Sequence, residues 1–303
     1  MVRISRNTPA QSKYGNQRLK TDVVIETTIT APILGMHRSG TSMFTRLMNL
    51  MGMDLGRVVL RAQFDNPLGF WEDKFLVKSN VRILETMRRD ATGFGPYGHL
   101  ISTYKSCRDL ELNQGLSLAI KNYLTGTFGG KTWGWKDPRT VLLYPLWCRL
   151  MESFGMSDIR PMIIVRHPQA VIRSMLARPG LFELSKACGM DRQTMCNHIW
   201  RAYNDILWQL SHEQSCFVGI YEWFLDPDRI RSESERAATY LSLDTSSVDA
   251  VVEWIDPKRS HAKPNDANAD DEALMLYDQF VKLANWQRDA FLSSTASTPS
   301  TTT

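Results

Sequence analysis

Four short apolar runs punctuate a chain of 303 residues, and they constrain its fold more than any other feature. They are "APILGM" (31–36), "TWGWK" (132–136), "RPMIIVR" (160–166) and "SCFVGIY" (215–221). Each is mostly continuous rather than alternating, which suits parallel strands buried on both faces. The stretches between them carry helical periodicity. After the first run, Phe44, Leu47, Met48 and Met51 fall at i, i+3, i+4 and i+7, one face of a helix. Residues 74–89, 109–124, 140–153, 169–178, 191–211 and 271–292 follow a similar pattern. Strands alternating with helices predict an α/β fold with three layers: a central parallel sheet with helices on both sides.

No stretch rich in Pro, Gly or Ser divides the body. The expected organisation is a basic leader (1–22), one domain (23–292) and a Ser/Thr-rich tail, "SSTASTPSTTT" (293–303), too polar to order itself. Net charge is +4, yet Arg3, Arg6, Lys13, Arg18 and Lys20 alone outweigh it; without them 31 basic residues face 32 acidic ones. A near-neutral body offers no nucleic-acid footprint. The five cysteines lack C-x-x-C spacing, which points to reduced thiols rather than disulfides or zinc ligands. No apolar run approaches the roughly 20 residues that span a bilayer, and the basic leader lacks the apolar core of a secretory signal. A cytoplasmic protein with no membrane partner is expected.

The chemistry concentrates where the first strand turns into its helix. In "PILGMHRSGTS", Gly35, Gly40 and Ser42 keep the spacing of the phosphate-cradling G-x-x-x-x-G-K-[ST] loop. Thr41, however, replaces the lysine, and Arg38 stands three residues earlier. A strand-turn-helix of this kind aims backbone N–H groups and the positive helix end at one point, which favours a tetrahedral anion. Ser39, Thr41 and Ser42 add hydroxyl donors, and His37 lies within the loop.

A nucleotide triphosphatase also needs Mg²⁺, held in part by an acid ending a second strand. The strand "MIIVRHP" ends in Arg166 instead, whose guanidinium repels a cation and invites a second phosphate. Ser174, eight residues on, adds a hydroxyl from the following helix. Two anion sites without a metal site are therefore expected.

"GMHRSGTS" together with "VRHPQAVIRS" resembles the two nucleotide-binding signatures of sulfotransferases that use 3′-phosphoadenosine 5′-phosphosulfate (PAPS), releasing the bisphosphate PAP. "YEWFLDPDRI" (221–230) is similar to that family's "YEDLLxDP" segment, with Trp223 in place of its Asp. "NPLGFWEDKFLVKSNVRIL" and "WGWKDPRTVLLYPLW" look like segments of its bacterial-type branch, and the ordered match spans about residues 31–260. The resemblance implies a P-loop-like fold and transfer of a sulfuryl group to a hydroxyl or amine of a small-molecule acceptor. It also implies that the first loop holds the 5′-phosphosulfate, Arg166 and Ser174 the 3′-phosphate, and Tyr221 a place near the adenine. Lys258 and Arg259, in "WIDPKRSHAKP", would correspond to a late basic loop closing over the 3′-phosphate, although the family's "RKG" form is absent.

For the chemical step, Arg38 and Lys136 are the candidates to stabilise charge on the leaving phosphate, although Lys136 could instead be a structural partner of Asp137. Glu72 is the first choice of general base, since Phe70 and Trp71 beside it would desolvate a carboxylate; a helix-start role paired with Lys74 is the alternative. His37 and His99 are its rivals. The competing functions are a P-loop small-molecule kinase and a non-catalytic nucleotide-binding protein.

Overall fold

A computed structural model describes residues 29–60, 69–128, 130–255 and 268–296. All four apolar runs form strands: β1 (Thr30–Leu34), β2 (Trp133–Lys136), β3 (Met162–Val165) and β4 (Phe217–Ile220). They lie parallel in the order β2-β1-β3-β4. Eleven helices are described around them: α1 (Thr41–Leu50), α2 (Lys74–Thr86), α3 (Tyr97–Cys107), α4 (Gln114–Phe128), α5 (Thr140–Ser153), α6 (Pro168–Leu176), α7 (Pro179–Ala187), α8 (Arg192–Glu213), α9 (Ile230–Tyr240), α10 (Val248–Trp254) and α11 (Asp271–Ala296). The expected α/β class with a central parallel sheet is what the chain adopts.

Burial on both sheet faces explains the continuous apolar runs. Leu34, Ile163, Val165, Val218 and Ile220 enter one core with residues of α5, α6, α8 and α11. Their neighbours Ile33, Met162, Ile164 and Phe217 enter the opposite core with residues of α1, α9 and α10. Residues of alternate parity point to opposite faces of a strand, so a sheet covered on both sides needs apolar residues at every position. A third cluster stacks Phe128 of α4, Trp133 and Trp135, with the Trp147 ring tilted against Trp135, alongside residues of α2.

β4 is an edge strand, and its outward backbone is closed by side chains rather than by another strand. Gln287 accepts from Val218 N at 2.9 Å and donates to Cys216 O at 2.8 Å, while Arg236 donates to Val218 O at 2.8 Å. Closing an edge in this way removes a template for strand pairing.

Several helix boundaries differ from expectation, two of them for a visible reason. The 109–124 pattern begins later, at Gln114, because Asn113 Oδ1 accepts the Leu116 N–H at 2.8 Å and caps the helix there. α11 continues to Ala296, four residues into the Ser/Thr-rich stretch, where hydroxyls of Ser293 and Ser294 fold back on the Asp289 and Phe291 carbonyls.

Candidate functional site

Parallel strands deliver their carboxyl ends to one edge, and at that edge this sequence places its polar residues. In an open α/β sheet the crevice lies where neighbouring strands are followed by connections in opposite directions. Here that is between β1 and β3. β1 feeds the Gly35–Gly40 turn, Arg166 directly follows β3 and Tyr221 directly follows β4, and β2 ends at Lys136, which pairs in register with Ile33.

The turn is tightly held. Arg38 (φ 68°) and Gly40 (φ 82°) are both left-handed, a strained state for arginine and a natural one for glycine. A Cβ at Gly40 would sit 2.0 Å from the Tyr221 ring, and one at Gly35 2.6 Å from Thr41 and 2.7 Å from the Ile164 carbonyl. Only glycine permits these approaches. Gly40 also caps α1, whose first turn holds no acidic side chain, so the helix's positive end faces the crevice without a competing carboxylate.

The two sequence signatures touch each other. Arg38 Nε donates to Ser174 Oγ at 2.7 Å, and Arg166 Nη1 donates to the Arg38 carbonyl at 3.1 Å. The Arg166 guanidinium lies over the Tyr221 ring at 4.5 Å. Ser39 Oγ, His37 Nε2 and Arg166 Nε are buried and find no hydrogen-bond partner among the described residues. Buried polar atoms left unsatisfied cost about 1–3 kcal/mol each. Ser39 Oγ and Arg166 Nε are donors, and beside glycines that leave room for close backbone approach they fit an anionic ligand that would satisfy them. Ser42 belongs to α1's first turn, beside Thr41.

On the β2 side, Lys136 Nζ stands 2.5 Å from Glu72 Oε1, with side chains only 4% and 10% exposed. Lys136 is therefore Glu72's partner, not Asp137's. Asp137 accepts instead from Arg139 Nη1 at 3.0 Å and from Asn80 at 2.9 Å, within a buried net that includes Thr140 and Trp147. Lys74 is exposed, and the cap of α2 is Asp73, whose carboxylate accepts from Phe75 N and Leu76 N. Burial raises the Glu72 carboxyl above its ordinary value; Lys136 opposes that rise. Glu72 follows Trp71, whose φ of 54° is left-handed.

His37 sits between these groups. Its ring meets Phe94 edge-on at 4.6 Å. Burial holds its pKa well below the usual value, and the nearby Arg139, Arg178 and Lys136 push it further down. A neutral imidazole results. His99 lies in the first turn of α3, with Arg89 Nη1 3.3 Å from its Nδ1, and no described contact joins it to the Gly35–Gly40 turn. Among nearby aromatic residues, Phe94 reaches His37, whereas Phe75 stacks on Tyr123 and Tyr104 is core. Lys258 and Arg259 lie outside the described residues. Sequence reasoning missed Arg178, whose charge bears on His37, Tyr203, whose ring meets His37 edge-on at 6.0 Å, and Glu222, which accepts from the His167 backbone N–H. Only Glu222 had a signal, its place beside Tyr221.

No protein-family model matches the chain, and no curated protein does. Among solved structures the chain is similar to the sulfotransferase domain of the Synechococcus PCC 7002 olefin synthase, at 14% identity and TM-score 0.46, covering 83% of this chain and 94% of that one. It is also similar to the sulfotransferase domain from the curacin biosynthetic pathway, at 13% identity and TM-score 0.43, covering 83% of this chain and 96% of that one. Likeness at this level carries no argument about function; the chemistry of the site has to. No described helix is long and apolar enough to cross a membrane.

Proposed function

We propose that this chain transfers a sulfuryl group from PAPS to a hydroxyl or amine of a small-molecule acceptor. The observation that carries the proposal is the meeting of the glycine turn with Arg38, Arg166 and Tyr221, where a basic residue directly follows β3 in place of a metal-holding acid. Arg166, with its Nε left without a described partner, and Ser174 would bind the 3′-phosphate. Ser39, Thr41, Ser42 and the amides opening α1 would bind the 5′-phosphosulfate. Tyr221 would lie against the adenine side.

In this reading the acceptor atom bonds to sulfur as the bond from sulfur to the bridging phosphate oxygen breaks. Arg38 and Lys136 place positive charge where the leaving phosphate gains negative charge. Glu72 receives the acceptor's proton. Its raised pKa makes it a better base than a solvated carboxylate, and Lys136 keeps it ionised. His37, held neutral, serves as a hydrogen-bond acceptor that orients the incoming group rather than as the base. His99 has no part in this arrangement.

Titration calorimetry tests the donor. Adenosine 3′,5′-bisphosphate is expected to bind the full chain at least about tenfold more tightly than AMP, the value of one charge-assisted contact to the extra phosphate. Equal binding would overturn the proposal. Mg²⁺-dependent ATP turnover would favour the kinase reading, and PAPS binding without transfer across a broad acceptor panel the non-catalytic one.

A further inference from the structure

Glu222 bridges two parts of the fold that the donor site otherwise leaves unconnected. It follows Tyr221 in the 3₁₀ turn Tyr221–Phe224 at the end of β4. Its Oε1 accepts the His167 backbone N–H at 3.1 Å, and its Oε2 accepts the Tyr277 hydroxyl at 3.1 Å. The His167 imidazole packs edge-on against the Tyr277 ring, 5.0 Å between centroids. His167 is the N-cap of α6 and the residue directly after Arg166. Tyr277 belongs to α11, more than a hundred residues along the chain.

Two consecutive pairs are thus cross-linked. Arg166 stacks on Tyr221 while His167 N–H bonds to Glu222, so the β3 end and the β4 end are fixed at two adjacent residues. A carboxylate this near Arg166 does not serve to attract an anion, because it offsets the positive charge. Its geometry serves position instead. One oxygen holds the amide that sets where the Arg166 side chain leaves the backbone, and the other is held by α11.

We propose that Glu222 and Tyr277 are positioning residues for the Arg166 anion site, so that α11 is a supporting wall of the nucleotide pocket. This rests on the donor reading for its ligand, but the clamp itself can be tested without one. Glutamine at 222 keeps a carbonyl acceptor for His167 N–H and an amide donor for Tyr277. Alanine keeps neither, and Tyr277→Phe removes the hydroxyl while leaving the ring against His167.

The experiment measures hydrogen exchange of the peptide spanning 166–170 in the ligand-free full chain, and calorimetric binding of adenosine 3′,5′-bisphosphate and AMP. Glu222→Ala and Tyr277→Phe are expected to speed exchange at that peptide and to weaken bisphosphate binding about tenfold, with AMP changed less than about twofold. Glu222→Gln is expected to resemble the unaltered chain in both assays. The clamp is overturned if exchange at 166–170 is unchanged in Tyr277→Phe, or if both nucleotides weaken together. It is also overturned if Glu222→Gln behaves like Glu222→Ala. Should Glu222→Ala not fold, Tyr277→Phe and Glu222→Gln still decide the outcome. If exchange rises as expected while the unaltered chain fails to prefer the bisphosphate, the donor reading falls and the clamp stands.

Discussion

Replacing Lys136 with methionine isolates the charge of the Lys136–Glu72 pair. Methionine is nearly isosteric with the lysine stem, so the change removes an ammonium 2.5 Å from Glu72 Oε1 and little packing. Breaking a buried pair by deleting one partner costs about 3–5 kcal/mol when the orphaned group stays charged. Glu72 has an escape, because it can take up a proton. Burial already raises its pKa above the reference 4.5, and the variant loses the opposing influence of Lys136, so the pKa rises further. A carboxyl whose folded pKa exceeds its unfolded one binds more protons when folded. Stability therefore falls as pH rises above about 4.5, by up to about 1.4 kcal/mol per unit, until the folded pKa is passed. Urea denaturation should find Lys136→Met destabilised by about 3–4 kcal/mol near pH ~8 and by only about 1–2 kcal/mol near pH ~5. Adding Glu72→Gln removes the orphaned charge and should recover about half the loss near pH ~8. A loss equal at both pH values, or a double variant no more stable than the single one, would refute a buried, charge-bearing Glu72.

Two further outcomes follow from the site. Gly40→Ala places a methyl group into the Tyr221 ring at a left-handed position, and should lower stability by about 2 kcal/mol or more and abolish measurable binding of adenosine 3′,5′-bisphosphate in calorimetry. The rate of sulfuryl transfer should rise with pH along a single limb whose midpoint lies above 4.5, since Glu72 must be ionised to act. Glu72→Gln should remove that limb and at least about a hundredfold of rate, whereas a limb surviving in it would assign the base elsewhere.

The strands were legible because a sheet buried on both faces requires unbroken apolar runs, and Ile33 and Leu34 show why: they enter opposite cores. α9 was not legible, since its buried face mixes Ile230, Ala237 and Ala238, which enter a core, with Glu233, Ser234 and Arg236, of which Arg236 closes the edge of β4. α10, of seven residues, and α7, which opens Pro-Gly, offered too little pattern. α3 buries Leu100, Thr103, Tyr104 and Cys107, a face too mixed to stand out as an apolar stripe. At the site, Gly35, Gly40, Arg38, Arg166 and Ser174 could be read from spacing because one local turn and one strand end create them. The partner of Glu72 could not. Lys74 was nearer in sequence to Glu72, and Asp137 nearer to Lys136.

The sequence alone settled the periodicities, and with them the strands, part of their helical cover and the glycine turn at the sheet's edge, because each depends on residues a few positions apart. Only the tertiary structure decided which charges meet. The Lys136–Glu72 pair, the Arg38–Ser174 contact and the Glu222 bridge join residues 64, 136 and 55 positions apart. Contacts at those separations are set by strand order and helix packing, and opposite charges along a chain carry no local mark of which partner the fold will bring.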